Sequence, residues 1–156
     1  MAPLVVGIGN RTRGDDAVGP EVAARVAARV AELDVPGVTV VVQDEPLALV
    51  EHLTSHTEVV VVDAVAPGGD PGRVHVWHVG PSPLPRDVHA IGSHGLGVAE
   101  AVELARALGR LPRRLTLVGV EAQTLNLGEP LSDRVGERLD DAVRAVLDAL
   151  SETTAH

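Results

Sequence analysis

LVVGIGNRTRGDDAVG, residues 4–19, passes from an apolar run through a glycine turn to a neighbouring pair of acids, Asp15 and Asp16, where a helix begins. A strand, a tight turn and a helix in that order are the opening unit of an α/β domain. Carboxylates cost several kcal/mol to desolvate unless something positive answers them. Two of them side by side at the carboxyl end of a first strand suit a waiting cation. Acids also favour helix N-termini through capping and the macrodipole, which explains the pair equally well from this segment alone.

Working outward, strand-like runs recur at 38–42 (VTVVV), 59–62 (VVVV), 74–79 (VHVWHV) and 115–120 (LTLVGV). Helix periodicity fills the spaces between them. Val18, Val22, Val26, Val30 and Leu33 form one apolar stripe, and Pro20 fits only in a first turn, so this helix starts around 16–20. A short helix is expected at 46–53. A third covers about 94–108 with Val98, Val102, Ala105 and Leu108 inward, stopped by Gly109 and Pro112. The last covers 133–150, capped by Ser132, with Val135, Leu139, Val143, Val146 and Leu150 inward.

Alternation of continuously apolar strands with helices predicts a mostly parallel sheet covered on both faces. The connection 63–73, DAVAPGGDPGR, is too short and too rich in Pro and Gly for a crossover helix. The strand at 74–79 is therefore expected to run antiparallel to the one before it, at an edge. The expected fold is a single α/β domain over 1–150, with a twisted, mostly parallel five-stranded sheet, one antiparallel strand and helices on both faces. Residues 151–156 are expected to be a frayed tail. Residues 80–93, with three prolines, make a loop of the length that is often functional.

Composition excludes whole classes of chemistry. The 156 residues carry a net charge of −9, and all 13 basic residues are Arg. That balance argues against a nucleic-acid or membrane partner. The absence of Lys removes a P-loop lysine, Schiff-base chemistry and a Ser–Lys dyad. Cysteine is absent too, excluding disulfides, thiolate metal sites and a Cys nucleophile. Trp77 is the only aromatic residue, so nothing offers a stacking platform for bases or sugars. With no signal-peptide pattern and no apolar run near the ~18 residues of a membrane span, cytoplasm is the expected location.

In an open parallel sheet, ligands collect beyond the carboxyl ends of the strands. Asp15 and Asp16 follow the first strand, and Asp63 ends the buried VVVV run, where an unpaired carboxylate is costly. His94, in GSHGLG, falls at the start of the third helix, where the helix dipole favours the neutral imidazole that binds metals. Two carboxylates and one imidazole suit nickel, zinc, manganese or iron, and three ligands leave positions open. The bland counterpart is a structural Asp–His network. His52, His56, His75, His78 and His89 lack comparable context and are read as surface or core residues.

Other motifs fail. GIGNRT lacks the third glycine of a dinucleotide fingerprint, although Asp44 and Glu45 sit where a ribose-binding acid would. No GxSxG elbow is present, and Ser93 lies next to His94 rather than facing it. The GIGN turn is similar to that of peptidyl-tRNA hydrolases, but the net charge and the missing aromatics oppose that substrate.

Taken in order, GIGN, DDAVG, VVVDAV, SHGLGVAEAVELARALG and LTLVGVEA resemble the hydrogenase maturation protease family over most of the chain. The resemblance implies a twisted sheet between helices and a metal site of Asp16, Asp63 and His94, with Asp15 as a further catalytic candidate. It implies an endopeptidase acting on the precursor large subunit of a nickel–iron hydrogenase and removing its C-terminal extension. The nickel is supplied by that precursor, and no organic cofactor is implied. Residues 43–47, QDEPL, replace a DGGT-like segment of many members, and Arg11 and Thr12 replace an apolar pair. A monomer is expected. A non-catalytic nickel-sensing chaperone or checkpoint of hydrogenase assembly, and a nucleotide-binding protein using the glycine turn as a phosphate cradle, are the competing readings.

Overall fold

β1 (Leu4–Ile8) is buried at every one of its five positions, as its unbroken apolar sequence demands. It lies inside the sheet of a computed structural model that describes residues 2–35, 37–84 and 97–154. β2 (Thr39–Gln43), β3 (Glu58–Val65), β4 (Val74–Val79) and β5 (Arg114–Glu121) complete the sheet, in the order β2-β1-β3-β5-β4. The pairings of β1 with β2, β1 with β3 and β3 with β5 are parallel, and β4 is antiparallel. The expected edge strand is therefore present and runs antiparallel to β3, with β5 between the two. The reason lies in their burial. β5 is buried at seven of its eight positions and needs a neighbour on each side, whereas β4 leaves Val76 and His78 exposed.

Helices cover both faces. α1 (Val18–Glu32) and α5 (Leu139–Thr154) lie on one, burying Val22, Val26, Val143 and Val146 against Val5, Val60, Val62 and Val118. On the other, α2 (Leu49–Ser55) and α3 (Val98–Ala107) bury Leu49, Leu53, Val98 and Val102 against Val6, Ile8, Val61 and Leu117. Each such aliphatic side chain contributes roughly 1.5–3 kcal/mol. The short α4 (Asp133–Glu137) precedes α5, so the expected last helix is two helices with a break at Arg138. α5 also runs four residues past the expected end at 150.

The helix ends depart from the stripes in a regular way. Leu33 and Leu108 are 56% exposed rather than inward, because each is the residue that closes its helix. Asp34 (φ +52°) and Gly109 (φ +67°) follow in the left-handed conformation, with Val35 N–H returning to Val30 O and Arg110 N–H to Ala105 O. Short 3₁₀ turns precede two helices, at Gly14–Ala17 and at Pro46–Ala48.

Two glycines bring the first turn into place. A side chain on Gly19 would collide with Ile8 O and meet Val62 O at 2.8 Å, so the start of α1 sits directly on β1 and β3. Gly9 has φ +152°, and a side chain there would collide with Asp16 O. Both positions need the missing side chain to set the acid pair against the strand ends.

Candidate active site

The strands do not stop together. β1 pairs with β3 only as far as Gly7 with Val62, whereas β3 and β5 continue to Val65 with Glu121. Asp63 is thus not the end of its strand, as its sequence implied, but a residue within β3 one step beyond its pairing with β1. The 3₁₀ turn carrying Asp15 and Asp16 faces this point of β3.

The two neighbouring acids have different surroundings. Asp15 is fully buried and accepts four hydrogen bonds, from Gln123 N (2.7 Å), Thr124 N (3.2 Å), Ser132 N (2.7 Å) and Ser132 Oγ (2.9 Å). Backbone bonds from Asp15 N to Thr124 O and from Gly14 N to Glu129 O reinforce the contact. Asp15 therefore latches the turn before α1 to the segment between β5 and α4. Ser132 stands at the N-terminus of α4 as expected, but makes no side-chain cap, because its hydroxyl belongs to Asp15.

Asp16 is half-buried and accepts Asn10 N–H at 2.8 Å. Asn10 Oδ1 in turn accepts Thr12 N–H and Oγ–H, which shapes the turn. A carboxylate thus fills the glycine turn, taking the N–H that a phosphate cradle would offer.

Asp63 is 5% exposed, with the Ala64 N–H at 2.8 Å as its hydrogen-bond donor among the described residues. Burial pushes its carboxyl well above the ordinary aspartate range, and the charge of Asp16 pushes in the same direction, against the Ala64 hydrogen bond. The structure therefore brings Asp16 and Asp63 within electrostatic reach of each other and places Asp15 in a separate task. His94 falls in 85–96, outside the described residues. Among the described residues, no three side chains of His, Asp or Glu form a metal-binding group.

A second buried carboxylate lies on the same sheet face and was missed by sequence reasoning. Glu121 ends β5, accepts His75 Nε2–H at 2.8 Å and takes the Asp70 N–H at 3.0 Å. Burial works to raise its carboxyl, but the hydrogen bonds from His75 and Asp70 and the charges of His75 and Arg73 outweigh that and hold it below the ordinary value. Asp70 also pairs with Arg138 at 2.7 Å, so the 66–73 loop is held from both sides. His75, read as a residue without context, stacks on Trp77 and belongs to this group. The signal was available: in VGVE an acid follows a buried apolar run, as it does in VVVVD.

The model of the family described as hydrogenase maturation protease matches residues 34–149. The chain belongs to that family. The hydrogenase expression/formation protein HupD of Rhizobium leguminosarum bv. viciae is 31% identical over 96% of this chain and 70% of its own length. The hydrogenase 2 maturation protease of Escherichia coli (strain K12) is 28% identical over 98% of this chain and 93% of its own. Among solved structures, the hydrogenase 2 maturation peptidase from Thaumarchaeota archaeon SCGC_AB-539-E09 is 28% identical, covering 96% of this chain and 98% of that one, with a TM-score of 0.68. Membership makes this chain a peptidase of hydrogenase maturation. The family fold is also the one described above, and among the described residues no helix is long and apolar enough to cross a membrane.

Proposed function

We propose that this protease recognises nickel already placed in the precursor large subunit of a nickel–iron hydrogenase and removes that subunit's C-terminal extension. The observation that carries the reading is the Asp16–Asp63 pair. Two carboxylates within reach of each other, one of them buried with a single hydrogen-bond donor among the described residues, repel each other, and a cation relieves that repulsion. A precursor bringing its own nickel supplies that cation, and an empty precursor does not. Discrimination between the two then follows from electrostatics rather than from shape.

In this reading Asp16, Asp63 and His94 share the nickel with the precursor's own ligands. Carboxylates and imidazole are suitable donors for such an ion. Nickel held there would supply Lewis-acid polarisation of the reacting carbonyl or water. Water adds to the carbonyl carbon, the C–N bond breaks, and the water proton passes to the leaving amine. Asp15 has no part in this, because four donors already occupy its oxygens.

Intact-mass spectrometry of nickel-loaded and nickel-free precursor, each incubated with the protein, tests the reading. Loss of a defined C-terminal peptide from the loaded form alone is expected, and Asp16→Ala, Asp63→Ala and His94→Ala each abolish it. Cleavage of both forms, or full activity in these variants, contradicts it.

A further inference from the structure

β4 is an edge strand preceded by a bulge, where Gly72 N–H donates to Glu121 O and Glu121 N–H to Arg73 O, but its own residues carry little protection. Its sequence, VHVWHV, contains no Pro, Lys or acid, and its six residues pair with β5 without a bulge. Among the described residues, no strand pairs with its outer side. The ladder fixes which backbone groups face outward. Glu121 N–H donates to Arg73 O at 2.9 Å, so Arg73 and, by alternation, His75, Trp77 and Val79 turn their backbone groups toward β5. Val74, Val76 and His78 turn theirs away from it, and Val76 is 44% exposed.

The two ends of this edge differ. The Val74 end lies beside Val120 and Glu121, at the carboxyl end of the sheet where Asp63 stands. The Val79 end lies beside Leu115 and a recess of about 150 Å³ between β4, β5 and α5, lined by His78, Arg113, Arg114, Thr116 and Ala149. His78 and Arg113 are exposed. Residues 106–114, RALGRLPRR, hold four of the 13 arginines; Arg106 pairs with Glu103 and Arg110 lines a different recess, so Arg113 is the exposed guanidinium beside His78. An exposed guanidinium beside an imidazole, in a chain whose net charge is −9, favours an anionic group.

We propose that β4 takes an extended peptide as a sixth strand, with a carboxylate of that peptide at Arg113 and His78. The occupant is the part of the precursor downstream of the bond to be cut. Running parallel to β4, it descends from the Asp63 end, and a strand of this length covers ~20 Å. Main-chain bonds to Val76 and His78 give affinity without demanding a sequence, the common mode of strand addition. The inference deepens the protease reading and rests on it for the identity of the occupant.

The test uses the whole protein and a probe peptide, acetyl-Thr-Val-Thr-Val-Thr-Val, as the free acid and as the C-terminal amide. Trp77, the only aromatic residue, lies on β4 and reports binding by its fluorescence. The free acid is expected to bind about tenfold more tightly than the amide, the worth of one charge-assisted hydrogen bond. Amide exchange should slow at Val76 and His78 and stay unchanged at His75 and Trp77. Arg113→Ala should remove the advantage of the acid, and Val76→Pro should weaken both peptides roughly tenfold through the lost outward N–H. An amide ending in Glu separates two sources of the carboxylate: recovered affinity assigns Arg113 and His78 to an acidic side chain, and none assigns them to a chain terminus. Unchanged exchange at Val76 and His78 in the wild-type protein, or equal affinity for acid and amide, overturns the proposal even if Val76→Pro fails to fold. Nickel-dependent cleavage without β4 protection would remove this inference alone. Protection without cleavage would remove the assigned occupant and leave the strand-addition site.

Discussion

Asp15 and Asp63 are both acids buried almost completely, yet the protein treats them in opposite ways. Asp15 is surrounded by four donors from one segment 108–117 residues away. Asp63 has the Ala64 N–H, with the charge of Asp16 beside it. The first has exchanged its hydration for protein hydrogen bonds. The second has lost hydration without that replacement among the described residues. Burial alone therefore does not mark a functional carboxylate; incomplete satisfaction does.

The largest expected effect breaks the Asp15 side of this contrast. Asp15→Ala leaves four donors facing a cavity and should cost about 3–5 kcal/mol. Differential scanning calorimetry should show the melting temperature falling by roughly 10 °C for a domain of this size. A fall of only a degree or two would mean that the 123–132 segment is held by other contacts.

Glu121 gives an intermediate case, buried but well supplied with donors. Glu121→Gln should cost about 2 kcal/mol at neutral pH, measured by urea unfolding. Its carboxyl is held below the ordinary value of 4.5, so its contribution is present above that value and is lost as pH falls through the lower, folded one. The gap between variant and wild type should therefore close in acid. A gap independent of pH would place the effect in packing instead.

Asp63→Asn sharpens the contrast from the other side, with the smallest effect and the opposite sign. The raised carboxyl means that the folded state holds this proton more tightly than the unfolded state. Stability is then lost as pH rises from the ordinary aspartate value of 3.8 through the raised one. The Asn variant should be modestly more stable than wild type at pH 7 and indistinguishable from it near pH 3.

The layered fold was legible because each signal is local. Stripes at helical spacing, buried runs and a crossover too short for a helix fix element type without knowledge of distant residues. Leu33 and Leu108 departed only because periodicity does not show where a helix closes. Partnership was less legible: the neighbour of β4 depends on how thoroughly β5 is buried, a property of the assembled sheet. At the site, the acid pair and Asp63 stood out as charges where apolar strands end. What separates Asp15 from Asp16 could not be read, because the donors that satisfy Asp15 lie more than a hundred residues away. That the hydroxyl of Ser132, at the N-cap position as expected, serves Asp15 instead of α4 could not be read for the same reason. Glu121 was readable by the rule that found Asp63, and His75 only through Glu121.

The most direct test is to make Asp15→Asn and Asp63→Asn side by side and measure, for each, the melting temperature at pH 7 and cleavage of a nickel-loaded precursor by intact mass. Asp15→Asn should melt well below wild type, and Asp63→Asn should melt at or above it while leaving the precursor uncut. If Asp63→Asn cleaves as wild type does, or loses stability as Asp15→Asn does, the division between a satisfied structural carboxylate and an unsatisfied working one is wrong.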